Sequence, residues 1–123
     1  MKKITIYSLD GCNTCKHVTQ KVLELISGKE IDYENHNCHS NDTECDRIED
    51  KLNTGKYPMI KLENFSYFKN KYSKPAGMVY FSSRYSSEEE TKALDKNTIA
   101  VSILTTEELL EKIKVIIQHE KTI

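Results

Sequence analysis

The chain has 123 residues, 37% of them hydrophobic, which suits one compact domain around one core and leaves no comfortable room for a second. Its formal net charge is −1, with 18 basic residues spread among 19 acidic ones, so electrostatics gives no reason to expect a nucleic-acid partner. No apolar run approaches the ~20 residues that a membrane helix requires, and a soluble, unprocessed, monomeric cytoplasmic protein is expected.

In chain order, Lys3-Ile4-Thr5-Ile6-Tyr7-Ser8 alternates like a short buried strand, and Asp10-Gly11 supplies a turn. A helix is predicted from about Asn13 to Ser27, with Val18, Val22, Leu23, Leu25 and Ile26 on its apolar face and Gly28 as its terminator. Ile31 to Asn35 reads as a second strand. Asn41 to Leu52 reads as a polar helix, with Asn41 or Thr43 as N-cap, Ile48 and Leu52 facing inward, and Gly55 ending it. Tyr57-Pro58-Met59-Ile60-Lys61-Leu62 is the next strand, its proline near the start where a missing N–H is tolerated.

Glu63 to Pro75 lacks clean periodicity, Met78 to Ser82 is a further strand, and Arg84 to Lys96 reads as a loop or short surface helix. In Asn97 to Leu104, Ile99, Val101 and Ile103 alternate as in a strand, and the pattern leaves open which of these two strands is the main sheet member. The aromatics between Phe65 and Phe81 are expected to serve packing. Thr105-Thr106-Glu107-Glu108 is a capping box that opens a closing helix to about His119, with Leu109, Leu110, Ile113, Ile116 and Ile117 on its apolar face.

The chemistry of the chain is concentrated in Cys12-Asn13-Thr14-Cys15, which falls at a strand-to-helix junction. Unpaired N–H groups and the positive end of the helix dipole favour an anion there, so a thiol with a free pKa of about 8.5 can be a thiolate at neutral pH. The thiolate is the attacking species in thiol–disulfide exchange, and a second thiol three residues on can resolve the mixed disulfide. Thiols are kept reduced in the cytosol, so the pair reads as catalytic or metal-binding rather than as a structural cross-link.

Ile4-Thr5-Ile6-Tyr7-Ser8-Leu9-Asp10-Gly11-Cys12-Asn13-Thr14-Cys15-Lys16 resembles the opening of a glutaredoxin, and Lys56-Tyr57-Pro58-Met59-Ile60 resembles that family's proline segment. The likeness covers about the first half of the chain. It implies a thioredoxin-like (glutaredoxin) α/β fold over 1–123, with a central mixed sheet flanked by helices in the order β-α-β-α-β-β-α. Residues 63–104 would then form a divergent or inserted region. The resemblance further implies Cys12 and Cys15 as catalytic residues, a cis bond before Pro58, and Tyr57 and Pro58 as the place where glutathione binds. Disulfide-containing proteins are the implied substrates, with glutathione or a thioredoxin-type reductase as electron donor; ribonucleotide reductase is a family expectation for the recipient. Asn13 and Thr14 stand where many glutaredoxins have proline and an aromatic, and Leu9-Asp10-Gly11 stands where a basic residue is common.

Two other readings use the same residues. Cys12, Cys15, Cys38 and Cys45, with His17, His36 or His39 as substitutes, could form a zinc or iron–sulfur module. The six-residue spacing of the second pair and the strand-turn-helix setting of the first argue against metal, and none is expected. Cys38 and Cys45 are otherwise read as free thiols or as a second disulfide, and the histidines as exposed polar residues, with His17 placed to modulate the dithiol. The other reading is a thioredoxin-fold interaction protein that docks a partner through Glu63 to Lys96.

Overall fold

The computed structural model of the chain describes residues 2–38, 42–52, 57–68, 77–82, 91–103 and 105–121. Strand β1 (Lys3–Ser8) lies inside the sheet, parallel to β2 (Asp32–Asn37) on one side and antiparallel to β3 (Met59–Glu63) on the other. Beyond β3 come β4 (Gly77–Ser82), antiparallel to it, then β6 (Thr98–Ile103), parallel to β4, and β5 (Thr91–Ala93) at the far edge. The described strands thus form a six-stranded mixed sheet in the order β2-β1-β3-β4-β6-β5.

Successive side chains of a strand point to opposite faces, and the interior strands divide their apolar residues accordingly. Ile4, Ile6, Ile60, Leu62, Met78, Tyr80 and Val101 belong to one core, while Tyr7, Met59, Val79 and Ala100 belong to the other. The first core is covered by α1 (Asn13–Ile26), through Val18, Val22 and Ile26, and by α3 (Thr106–Lys121), through Leu109, Ile113, Ile116 and Ile117. The second is covered by α2 (Thr43–Leu52), through Cys45 and Ile48, together with Leu94. Both edge strands are unattractive to a further strand: β2 (Asp-Tyr-Glu-Asn-His-Asn) is polar and β5 is three residues long.

Local chemistry sets the helix boundaries. At the end of α1, Ser27 is extended, Gly28 has φ 75°, and the Lys29 N–H donates to the Ile26 carbonyl at 3.0 Å, which is a type II turn. A Cβ at Gly28 meets nothing within 4 Å, so the cost of a side chain there is one of backbone conformation alone. Gly28→Ala is expected to lower stability by about 1–2 kcal/mol without changing the fold, as read from the urea midpoint at constant m. At the start of α2 the cap is Asp42, whose Oδ1 accepts from the Cys45 N–H at 2.9 Å. Thr43 is therefore the first helical residue rather than the N-cap, since in Asn-Asp-Thr the carboxylate is the strongest acceptor in reach. Asn41, Gly55 and the side chain of Leu52 lie outside the described residues. Thr105 caps α3 as expected, its Oγ1 accepting from the Glu108 N–H at 3.1 Å.

Two expectations are corrected. Leu23 is 44% exposed, because it lies on the flank of α1, outside the buried row of Cys15, Val18, Val22 and Ile26. Within Arg84 to Lys96, Thr91–Ala93 is a strand, and the segment closes a hairpin in which the Leu94 N–H donates to the Thr98 carbonyl at 2.9 Å. Its polar composition hid this because an edge strand needs few apolar residues. Glu63 to Lys96 contains β4, which lies between β3 and β6, so deleting the segment would remove part of the core. Both Met78–Ser82 and Asn97–Leu104 contribute a sheet strand, so the pattern could not choose between them because both are correct.

The aromatics serve packing where they are described. Phe65 and Phe68 are buried against α3, and Tyr67 meets His119 edge-on. The short 3-10 turn Ser66–Phe68 is held to α3 by Glu120, whose Oε1 accepts from the Ser66 N–H at 2.6 Å and from the Ser66 hydroxyl at 2.7 Å. Lys2 lies 3.5 Å from the other oxygen. Burial pushes this carboxyl up, but the Ser66 donors and the Lys2 ammonium outweigh it and hold the pKa below the ordinary glutamate value. A depressed carboxyl contributes stability above its unfolded pKa, near 4.3, and that contribution is lost as pH falls through the folded value. Glu120→Gln is accordingly expected to be about 1 kcal/mol less stable than the parent chain at pH 7, with the difference shrinking as the pH is lowered into the acid range, as measured by urea unfolding across that range.

Candidate functional site

The turn after β1 brings the first cysteine to the helix start. Gly11 takes φ 77°, which a residue with a side chain adopts only at a cost, and the Cys12 N–H donates to the Leu9 carbonyl at 3.2 Å. Cys12 is the N-cap of α1: its backbone is extended, and its carbonyl accepts from the Lys16 N–H at 3.2 Å. Its Sγ takes the place of a capping oxygen and accepts from the Cys15 N–H at 3.1 Å. There is no acidic side chain in the first turn to oppose a negative charge at that sulfur.

Cys12 and Cys15 are joined as a disulfide, with Cα atoms 5.2 Å apart. Cys12 is partly exposed, whereas Cys15 is 2% exposed and faces the core. The asymmetry suits a more accessible attacking sulfur and a more buried second sulfur that lies next to it. Asp10 Oδ1 accepts from the Asn37 side-chain amide at 2.8 Å. His17 is exposed on α1.

Tyr57 and Pro58 come to the same end of the sheet. Tyr7 pairs with Met59 across antiparallel β1 and β3, so Pro58, one residue earlier, sits beside the end of β1 from which the Cys12 turn departs. Pro58 is buried and the Tyr57–Pro58 bond is cis. The Tyr57 hydroxyl donates to Glu49 Oε1 on α2, and burial first, then the Glu49 carboxylate, raises the phenol pKa. Neither residue lines the groove of about 730 Å³ that runs from Ser8, Leu9 and Cys15 along α1 to Leu23 and across to Asn35 and Asn37.

The second cysteine pair sits under the opposite face of the sheet. Cys38 follows β2, where its N–H donates to the Ser8 carbonyl at 2.7 Å, and Cys45 lies in the first turn of α2. The two are joined as a disulfide, Cα to Cα 5.9 Å, and both are buried, which rules out the free-thiol reading for this state. The four-thiolate arrangement does not form: among the described residues no group of three or more ligands unites Cys12 or Cys15 with Cys38 or Cys45.

His36 departs from the expectation of an exposed histidine. Its Nε2 is 2.8 Å from Asp42 Oδ2, its ring lies 5.3 Å from that of Tyr7, and its Nδ1 faces Glu34 and Glu44 at 3.7 and 4.0 Å. Partial burial opposes charging the ring, but the Asp42 carboxylate, with Glu44 and Glu34 beyond it, raises its pKa above the ordinary histidine value. The Tyr7 hydroxyl donates to Glu44 Oε1 at 3.1 Å, and burial and that carboxylate raise the phenol pKa. The sequence carried a signal for this cluster. His36 and Cys38 are two apart around the end of β2, and Asp42 and Cys45 are three apart at the start of α2, so all four fall within ten residues of sequence. His39 lies outside the described residues.

Comparison of the chain with known protein families, with curated proteins and with solved structures finds no match. Among the described residues no helix is long and apolar enough to cross a membrane.

Proposed function

We propose that the chain is a small cytoplasmic dithiol–disulfide oxidoreductase of glutaredoxin type on a thioredoxin-like fold. The observation that carries the reading is the Cys12–Cys15 disulfide at the start of α1, with the accessible sulfur at the N-cap and the second one buried. The sheet order β2-β1-β3-β4, with β1 and β2 parallel and Pro58 opposite the dithiol turn, is compatible with that fold.

In the reduced protein the Cys12 thiolate attacks one sulfur of a substrate disulfide. The substrate S–S bond breaks, one substrate thiol leaves with a proton, and Cys12 is held in a mixed disulfide. The Cys15 thiolate then attacks Cys12 Sγ, releases the second substrate thiol and closes Cys12–Cys15, so that two electrons and two protons pass to the substrate. Two molecules of glutathione, oxidised to glutathione disulfide, or the dithiol of a thioredoxin-type reductase would reopen the pair. Glutathione binding at Tyr57 and Pro58 belongs to the same proposal: the Tyr57 side chain is occupied with Glu49, which leaves its backbone for the ligand.

A titration of the purified chain against glutathione buffers, counting thiols by mass, tests the reading. Loss of two electrons at Cys12 and Cys15 with a potential near the roughly −200 to −230 mV of glutaredoxins supports glutathione coupling. A pair that fails to exchange with any thiol buffer removes the proposal.

A further inference from the structure

The His36 cluster has the make-up of a metal site with one feature out of place. His36 Nε2, an Asp42 carboxylate oxygen and Cys45 Sγ lie within 4.8 Å of one another. Cys45 Sγ is bonded to Cys38 Sγ, so both sulfurs are spent on each other and neither can act as a thiolate ligand. Reduction alone would change that.

We infer that reduction of Cys38–Cys45 creates a zinc site made of Cys38 Sγ, Cys45 Sγ, His36 Nε2 and Asp42 Oδ2, and that disulfide and metal exclude each other. Two thiolates, one imidazole and one carboxylate are ligands zinc accepts in a closed tetrahedral site. Zinc bonds of about 2.0–2.3 Å require ligand atoms closer together than those of two separate surface groups. Three of the four already meet that demand to within an ångström or so of adjustment. Cys38 Sγ completes the set because opening its bond to Cys45 frees it to swing, on a residue that ends a strand rather than lying inside one.

The surroundings are built for the role. Asp42 spends Oδ1 on the Cys45 N–H and leaves Oδ2 toward His36. A ligating imidazole that bonds through Nε2 needs an acceptor at Nδ1–H, and Glu34 and Glu44 lie there. Glu44 is itself fixed by the Tyr7 hydroxyl, and the Tyr7 ring packs against His36. The sulfurs are buried, while His36 and Asp42 side chains are 25% and 16% exposed, which gives an ion a way in from one side.

The chemistry balances with a dithiol as reductant. Its two sulfurs close to a disulfide as Cys38–Cys45 opens to two thiols, two electrons and two protons moving in all. Binding of Zn²⁺ then displaces the two thiol protons, and any proton on His36, to solvent. Oxidation of the pair by a disulfide reverses the sequence and expels the ion. The inference does not rest on activity at Cys12.

The test uses the full chain carrying Cys12→Ser and Cys15→Ser, which removes the other sulfurs. After reduction with dithiothreitol and anaerobic removal of the reagent, the chain is titrated with Co²⁺ alone and then with Zn²⁺. One Co²⁺ per chain is expected, with near-ultraviolet thiolate charge-transfer absorption and the visible bands of a tetrahedral ion, and Zn²⁺ should displace it. The same chain with Cys38–Cys45 closed should take up none, and re-oxidation should release the metal one for one. Glu44→Gln, which leaves all four ligands in place and weakens the support of His36, should weaken binding about 10–100-fold. Failure of the reduced chain to bind Co²⁺ overturns the inference, as does a spectrum without sulfur ligation. Since both are read on a chain with all four ligands intact, misfolding of a ligand variant cannot obscure the answer. Unchanged affinity in Asp42→Asn and His36→Phe together would also overturn it, by placing the ion elsewhere.

Discussion

Cys12→Ser is expected to reduce disulfides no faster than buffer alone, while Cys15→Ser accumulates a covalent adduct with substrate. Serine keeps the cap, because its hydroxyl can accept from the residue 15 N–H as Cys12 Sγ does at 3.1 Å, so helix and fold should survive. What disappears is the thiolate. A cap position at a helix N-terminus favours the thiolate form of a cysteine, whereas a hydroxyl stays protonated there. In Cys15→Ser the first attack proceeds, but nothing behind it can displace the substrate, since the residue that does so is buried beside Cys12. Mass spectrometry of Cys15→Ser incubated with a disulfide-bonded protein reads the adduct directly. Full activity in Cys12→Ser, or no adduct in Cys15→Ser, would reassign the roles.

Opening Cys38–Cys45 in the metal-free chain is expected to lower stability by about 2–3 kcal/mol. The bond closes a loop of sequence separation seven, and on the chain-entropy account a loop of that size restrains the unfolded state by about that amount. Comparing the Cys12→Ser, Cys15→Ser chain with its remaining pair oxidised and reduced, in the presence of a chelator, changes no atom except the bond. Urea midpoints of the two forms give the difference. Equal midpoints would mean that the packing of Cys38, Cys45, Ile48 and Met59 already confines the ends without the cross-link.

Elements in which one physical signal dominates were legible in the sequence. Strict alternation gave β1 and β6, the capping box gave the start of α3, and the row Val18, Val22 and Ile26 gave the buried side of α1. The dithiol was legible because two cysteines fell where a strand signal passed into a helix signal. The rest required partners distant in the chain. Thr91-Lys92-Ala93 has no pattern of its own and becomes a strand only because β6 offers an edge. His36 read as one exposed polar residue among four histidines, and its significance comes from Asp42, Glu44 and Tyr7, each supplied by the fold. The choice between free thiols and a bridge at Cys38 and Cys45 was likewise undecidable until β2 and α2 were set side by side.

The pairing of α1 with α3 bears on how the chain is made. The apolar face of α1 is complete once residue 26 has left the ribosome, yet Leu109, Ile113, Ile116 and Ile117, which complete the core it belongs to, are synthesised much later. For most of translation that face stays open to water, and the opening β-α-β unit cannot close its own core. The sheet has the same character, since β1 waits for β3, and β4 for β6, across long separations in sequence. The nascent polypeptide is thus a natural client for chaperones that shield apolar surface until the last helix arrives, and a truncation that removes α3 should yield insoluble protein rather than a smaller working domain.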